Sequence, residues 1–382
     1  MECVFEQGPI RPPSEAKSLL IRVVRNCPWN KCAFCHTYRG TRFSLRTVEE
    51  IKEDIRRVTA LVREIKVLSW EAGEGGAVTL PLVRLIYSRP DRFDLSWRTV
   101  VAWLYWGADS VFLQDANAVI IKTDDLVAIL TFLRESFPDL RRITSYCRSH
   151  TTARKSPEDW RRLCDAGLSR VHIGLESGSD TVLKFMRKGV TAADHIAGGR
   201  RVVEAGISLC EYVMPGLGGR QWSREHAIET ARVINEINPA FVRLRSLHVV
   251  PGTELHEAMV AGQFTPLDDE ETLREIRLFI ETLAGVNTTL VSDHILNLLE
   301  ELEGRLPEEK ERLLATIDRY FSLPDEERET YRIGRRIGVY RQLADLNDVH
   351  LYRKVRDVIE DYRQRGPGAL EHDLEAAMDG RI

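Results

Sequence analysis

Through the first 250 residues, apolar positions switch repeatedly between the two periods of regular structure. The run LLIRVV (19–24) is short, apolar and strand-like, and it leads directly into a group of cysteines. In SLRTVEEIKEDIRRVTALV (44–62), Val48, Ile51, Ile55, Val58 and Val62 recur at helical spacing. Thr47 stands as the N-cap, with Glu50 three residues on as its capping-box partner. The alternation then repeats. Residues 109–115 read as a strand and 124–138 as a helix, and 141–148 as a strand and 156–167 as a helix with Pro157 in its first turn. Strands at 169–176, 207–216 and 241–250 are separated by helices at 191–206 and 223–237.

Six strand–helix units in series predict a parallel sheet with helices outside it. The expected fold is α/β, a partial TIM-type (β/α)6 barrel whose chemistry sits at the C-terminal ends of the strands. The cysteine loop occupies the first such end. Residues 1–16 read as a Pro-rich, polar arm, residues 17–290 as the barrel, and residues 291–382 as a helical C-terminal appendage. In that appendage the segment from Ser292 to Phe321 is expected to be helical, with further helices over 322–346 and 349–362.

Composition narrows this picture. The 382 residues are 43% hydrophobic and 29% charged, an ordinary globular balance. The formal charge of −4 comes from a small acidic excess toward the C-terminal end, so no strong nucleic-acid signal is present. No apolar run is long enough to span a membrane, and the N-terminus lacks the pattern of a secretory signal. A cytoplasmic protein is expected.

Seven cysteines stand at 3, 27, 32, 35, 147, 164 and 210, and three of them fall within nine residues: Cys27-Pro-Trp-Asn-Lys-Cys32-Ala-Phe-Cys35. Thiolates are the usual ligands of iron–sulfur clusters. Three protein ligands to four irons leave one iron open for a substrate or cofactor, which suits catalysis. The rival is a Cys3His zinc site that includes His36, but adjacent residues seldom aim at one ion and no second CxxC completes a ribbon. Cys147, Cys164 and Cys210 are scattered and read as buried thiols.

A strand ending in three cysteines, with an aromatic residue before the third, resembles the radical S-adenosylmethionine (SAM) superfamily. Its common motif is CxxxCxxC, and this chain has one residue more in the first gap. Three further segments carry the resemblance: IGLESGSDTVLKFMRKGVT (173–191), YVMPGLGG (212–219) and SLHVVPGTEL (246–255). They are similar to the branch containing oxygen-independent coproporphyrinogen dehydrogenase, the Elongator-type enzymes and the methylthiotransferases.

The resemblance implies that Cys27, Cys32 and Cys35 hold a [4Fe–4S] cluster and that Phe34 lies near the adenine of SAM. It implies that Asp115 or Asn117 meets the methionine amino group, in place of a Gly-Gly-Glu-like turn that is missing here. Glu176, with Ser177 beside it, is implied for the ribose hydroxyls. Lys188, with Arg187 as a substitute, is implied for the methionine carboxylate. Reductive cleavage of SAM would yield a 5′-deoxyadenosyl radical that removes hydrogen from a substrate, with a flavodoxin- or ferredoxin-like one-electron donor as partner. An oxidoreductase or transferase is expected, and a non-catalytic cluster- or haem-carrying protein is the alternative. The additional domains of methylthiotransferases and of cobalamin-dependent methylases are not expected in this chain.

Strand parity adds a reading of its own. His172, Gly174 and Glu176 share one face of their strand, and Thr144, Tyr146 and Arg148 share one face of another. Glu211 lies opposite Tyr212, and Arg243 and Arg245 lie opposite Ser246 and His248. A structural barrel fills its interior with apolar side chains. So many charges suggest a wet lumen holding a polar substrate, with outward-facing ion pairs as the competing reading. Tyr146, Arg148, Arg245 and His248 are the substrate-side candidates.

Overall fold

A computed structural model of the chain describes residues 4–365 and residue 373. They form two compact units interleaved along the chain. The first takes residues up to 30, 38–173 and 201–209, and the second takes 31–37, 174–200 and the residues from 210 onward.

The first unit begins with β1 (Leu19–Arg22), followed by β2 (Val24–Arg25) and β3 (Ser44–Leu45), an antiparallel pair on either side of the cysteine loop in sequence. The long α1 (Val48–Glu71) starts at Thr47 with both halves of the expected capping box. It buries Ile51, Ile55, Val58, Leu61 and Ile65. Two helices follow, α2 (Leu80–Tyr87) and α3 (Leu95–Tyr105), then β4 (Ser110–Gln114), α4 (Thr123–Ser136), β5 (Arg142–Cys147), the single turn α5 (Ser149–Thr152) and α6 (Pro157–Asp165). The next strand is β6 (Leu168–Glu176), whose first six residues belong here. The order β1-β4-β5-β6 is parallel throughout, with Ile21 opposite Leu113 and Tyr146 opposite His172. One face is the apolar row of Leu19, Ile21, Val111, Leu113 and Ile143, fully removed from water. On the other face, Phe112, Tyr146 and His172 meet edge to face with centroids 5.1–6.3 Å apart.

The second unit takes the end of β6, then α7 (Asp180–Phe185), α8 (Ala192–Glu204) as far as Arg200, β7 (Ser208–Val213) from Cys210 on, α9 (Gly219–Ile237), β8 (Phe241–Leu244), α10 (Glu254–Val260) and α11 (Asp269–Thr282). Strand β9 (Thr289–Val291) extends the parallel series β7-β8-β9, and β10 (Gly304–Arg305) pairs antiparallel to β9. Three helices complete it: α12 (Lys310–Ser322), α13 (Asp325–Arg336) and α14 (Val349–Arg365). The fold class is α/β, with the strand–helix alternation and mostly parallel pairing of a partial TIM-type barrel and a helical C-terminal appendage. Among the described residues, no helix is long and apolar enough to cross a membrane.

Two expectations need correction. The expected strand 241–250 ends at Leu244, because the following amides turn to other partners: Ser246 N donates to Asn297 Oδ1 at 2.9 Å and Leu247 N to Pro215 O at 2.8 Å. The expected helix from Ser292 is irregular up to α12, apart from β10. Its Leu296, Leu298, Leu299 and Leu302 are buried as the periodicity demands. However, carbonyls that a helix would use internally go to arginines of α13, with Asn297 O accepting from Arg335 Nε at 3.2 Å and Leu296 O from Arg336 Nη1 at 2.9 Å.

Candidate functional site

In the first unit, β1 delivers the chain to Cys27 through a dense ionic scaffold. Asp115, just past β4, is fully buried. It accepts from Arg22 Nη2 at 2.7 Å and Nε at 3.1 Å, from Asn26 N at 3.1 Å, and from the Tyr38 hydroxyl. Burial and the adjacent Asp115 charge push the Tyr38 phenol well above its ordinary range, so it stays a donor. Arg22 also pairs with Glu6, and Arg46 with Asp54 at 2.8 Å. Asn26 and Asn30 take left-handed backbone conformations (φ 69° and 48°), which Asn tolerates better than most residues. Asn30 Nδ2 closes the turn onto Tyr38 O at 2.6 Å, and its backbone N–H donates to Cys27 Sγ at 3.4 Å.

Asn117 is equally committed. Its Oδ1 accepts from Arg148 N at 3.1 Å, and its Nδ2 donates to Thr151 Oγ1 at 2.8 Å. Arg148 lies over the Trp29 ring, 5.2 Å from its centroid. His172, expected to face a wet interior, instead reaches Glu15 of the N-terminal arm at 3.3 Å, with both side chains fully buried. Ion pairing is therefore the outcome for Arg22 and Arg46, and a buried contact with a carboxylate is the outcome for His172.

In the second unit, the segment carrying Cys32 and Cys35 is tied by its backbone. Ala33 N donates to Met186 O at 2.9 Å, and Leu255 N donates to Ala33 O at 3.0 Å. Ala33 belongs to an apolar cluster with Val182, Met186, Leu217, Leu255 and Phe264, against which Phe34 packs. The Lys188 ammonium stands 5.9 Å from the Phe34 ring centroid and 3.0 Å from Glu176 Oε1. Glu176 ends β6 in a left-handed conformation (φ 63°), and its carbonyl accepts from Met214 N. Gly174 makes room for this pair: a Cβ there would lie 2.1 Å from Glu176 Oε1 and 3.0 Å from Lys188 Nζ.

Ser177 is turned into the protein. Its Oγ meets His226 Nδ1 at 2.8 Å, and Glu275, which lies 3.6 Å from His226 Nε2, accepts from Gly216 N at 2.7 Å and Ser223 Oγ at 2.6 Å. Arg187 pairs with Glu254.

Sequence reasoning noticed Glu211 only as a strand charge. It is fully buried, and neither carboxylate oxygen has a hydrogen-bond partner among the described residues. Burial, reinforced by the negative Glu176 and partly offset by Lys188, raises its pKa well above the ordinary carboxylate value. The available signal was a lone carboxylate inside the run ISLCEYV, where a strand buries both faces.

A cleft in this unit is lined by Phe34, Cys35, His36 and Thr37 on one side and by the chain after β8 on the other, including Arg245 and His248. Of the substrate-side candidates, these two therefore share a cleft with Cys35, while Tyr146 and Arg148 belong to the first unit. No disulfide joins the described cysteines to one another, and Cys3 lies outside the described residues. Among the described residues, no three His, Cys, Asp or Glu side chains converge on one point as a mononuclear ion requires.

Comparison with known proteins gives the family. The sequence model described as "Radical SAM superfamily" matches residues 21–231, more than half of the chain, and the chain belongs to that superfamily. A biotin synthase of Nitratidesulfovibrio vulgaris is 37% identical over 122 residues, 31% of this chain and 30% of that protein. A tRNA uridine(34) acetyltransferase of Methanocaldococcus infernus is 25% identical over 122 residues, 32% of this chain and 23% of that protein. The match to a solved Escherichia coli coproporphyrinogen III oxidase (HemN) covers 69% of this chain and 51% of that one, at 13% identity and a TM-score of 0.42. The chain spans between 20% and 35% of the length of the curated relatives it matches. Membership makes it an enzyme that uses a [4Fe–4S] cluster and SAM.

Proposed function

We propose that Cys27, Cys32 and Cys35 are the cluster ligands, that Glu176, Lys188 and Glu211 receive SAM, and that hydrogen is abstracted from a substrate held near Cys35. When bound, the cluster and SAM supply reductive cleavage of the sulfonium to a 5′-deoxyadenosyl radical, for which an external flavodoxin- or ferredoxin-like protein provides the electron.

The single observation that carries the assignment is the bare Glu211 carboxyl beside the Glu176–Lys188 pair. A buried polar group without a partner costs free energy comparable to a lost hydrogen bond, and usually more. SAM carries an ammonium and a ribose diol, both donors, and a carboxylate. The residues present offer two carboxyl acceptors and one ammonium, a complementary set.

In this reading Lys188 holds the methionine carboxylate as a point charge. Releasing Glu176 from Lys188 frees it to accept from the diol. Glu211 takes the remaining donor, and ionises as that donor and the cofactor's positive charge arrive. Phe34 shields the adenine side from water. Asp115 and Asn117, whose oxygens are occupied, act as positioning residues. Asp115 fixes the chain before Cys27, and Asn117 fixes the end of β5. Ser177, through His226, fixes the turn that presents Glu176. Arg245 and His248, on the cleft with Cys35, are the substrate-side residues of the second unit, Tyr146 and Arg148 are the candidates of the first, and residues 17–290 make up the catalytic core.

The test is anaerobic reconstitution followed by iron and sulfide analysis, SAM titration and detection of 5′-deoxyadenosine after reduction. Wild-type protein is expected to hold four irons, bind SAM and release 5′-deoxyadenosine. Alanine at Cys27, Cys32 or Cys35 is expected to abolish the cluster. Unchanged iron content in those variants would refute the ligand assignment. A full cluster without 5′-deoxyadenosine would favour a carrier protein.

A further inference from the structure

We propose that Arg245 is the receptor for an anionic group, a carboxylate or phosphate, carried by the substrate. This deepens the function proposed above and rests on it for the position of the reacting centre.

Arg245 follows the last residue of β8 and is half-buried on the cleft that also exposes Cys35. Its backbone N–H donates to Val213 O at 2.9 Å, but its guanidinium makes no hydrogen bond or ion pair with a described residue. Other arginines removed from water to a similar or greater degree are matched: Arg22 with Asp115, Arg46 with Asp54, Arg243 with Asp293 and Arg335 with Glu300. The described residues lining the cleft include no carboxylate, and they add His36 and His248 to Arg245. Nearby His294 does not supply a counter-charge. Burial, followed by the Arg245 charge, brings its imidazole down to about 4, so it is neutral at pH 7.

A guanidinium withdrawn from water without a counter-ion is unfavourable. It becomes favourable when a planar oxyanion docks on its fork of donors. In the function proposed above the cofactor's own carboxylate has Lys188, which does not line this cleft, so Arg245 is left for a second molecule. The remaining wall is apolar, with Met214, Leu247, Val250 and Leu296. It is held in place from behind by Asn297, which accepts from Ser246 N and donates to Leu244 O at 2.8 Å. The substrate class that fits is a small acid whose hydrocarbon part lies on this wall, with its anionic end on Arg245.

Calorimetric titration of cluster-loaded protein with succinate and, separately, inorganic phosphate tests this in the wild type, Arg245→Gln and Arg245→Lys, alongside SAM titration of each. One probe is expected to bind saturably, at least about tenfold more weakly in Arg245→Gln, with Arg245→Lys intermediate and SAM affinity unchanged in both. The probe that binds identifies the anion class. The proposal is overturned if neither probe binds the wild type, if Arg245→Gln binds the probe equally well, or if SAM weakens in parallel. Failure of the underlying function shows separately, as wild-type protein without iron and sulfide, and the anion titration on that protein still reports on Arg245.

Discussion

The first unit around Asp115 and the second unit around Glu211 each bury a carboxylate completely, and the two are treated in opposite ways. Asp115 is surrounded by Arg22, Asn26 N and Tyr38, so its lone pairs are used within the protein. Neither Glu211 carboxylate oxygen has a hydrogen-bond partner among the described residues. Arg22 and Arg46 are paired in the first unit; in the second, Arg243 and Arg335 are paired and the Arg245 guanidinium has no partner among the described residues. Saturated polar clusters rigidify a fold, and unsaturated ones are costly unless something else completes them. The chain thus holds the approach to Cys27 with a satisfied network and keeps unsatisfied groups beside Cys35 and Lys188, where the proposed function places its ligands.

The sharpest way to break this contrast is Asp115→Ala. It strips Arg22 and Tyr38 of their buried partner and is expected to cost about 3–5 kcal/mol of stability in urea unfolding. A loss of SAM affinity at unchanged stability would show that Asp115 is a ligand-binding group. Next is Gly174→Ala, whose methyl would occupy the space of the Glu176 carboxylate. SAM affinity is expected to fall by more than about tenfold, and unchanged calorimetric affinity would remove Glu176 from the site.

Glu211→Gln sharpens the comparison from the other side. The Glu211 pKa is raised on folding, so the native state holds its proton more tightly than the unfolded chain. The stabilisation is complete below the unfolded value near 4.5 and is lost as pH rises through the folded value. Wild-type melting temperature should therefore carry a downward slope above that point, which glutamine removes. The same variant should weaken SAM roughly tenfold. A steeper slope in Glu211→Gln would contradict the assignment. The smallest effect belongs to a satisfied, exposed feature of the first unit. Thr47→Ala loses one side of the α1 capping box and is expected to cost about 1 kcal/mol, with SAM binding untouched.

Much of the fold was legible because it is written in local periods. The capping box of α1, the buried rows of β1 and β4, and the series of strands and helices follow from residues near one another in sequence. The exceptions lie where distant groups compete for the backbone. Strand β8 stops early because Ser246 N finds Asn297, and the segment 292–303 fails to become a helix because arginines of α13 take its carbonyls. The apolar spacing in that segment reports burial correctly and conformation incorrectly.

The sequence by itself determined the chemistry: three thiols within nine residues, a carboxylate at the end of β6 and a lysine twelve residues later are fixed by covalent order. Only the tertiary structure decided which charges are already spent. Whether Asp115, His172, Glu211 or Arg245 has a partner depends on side chains tens of residues away, and no local pattern encodes the distance between them. Hydrogen-bond saturation is a property of assembled space, and in this protein it separates the occupied Asp115 and His172 from the open Glu211 and Arg245, the groups on which the proposed ligand sites rest.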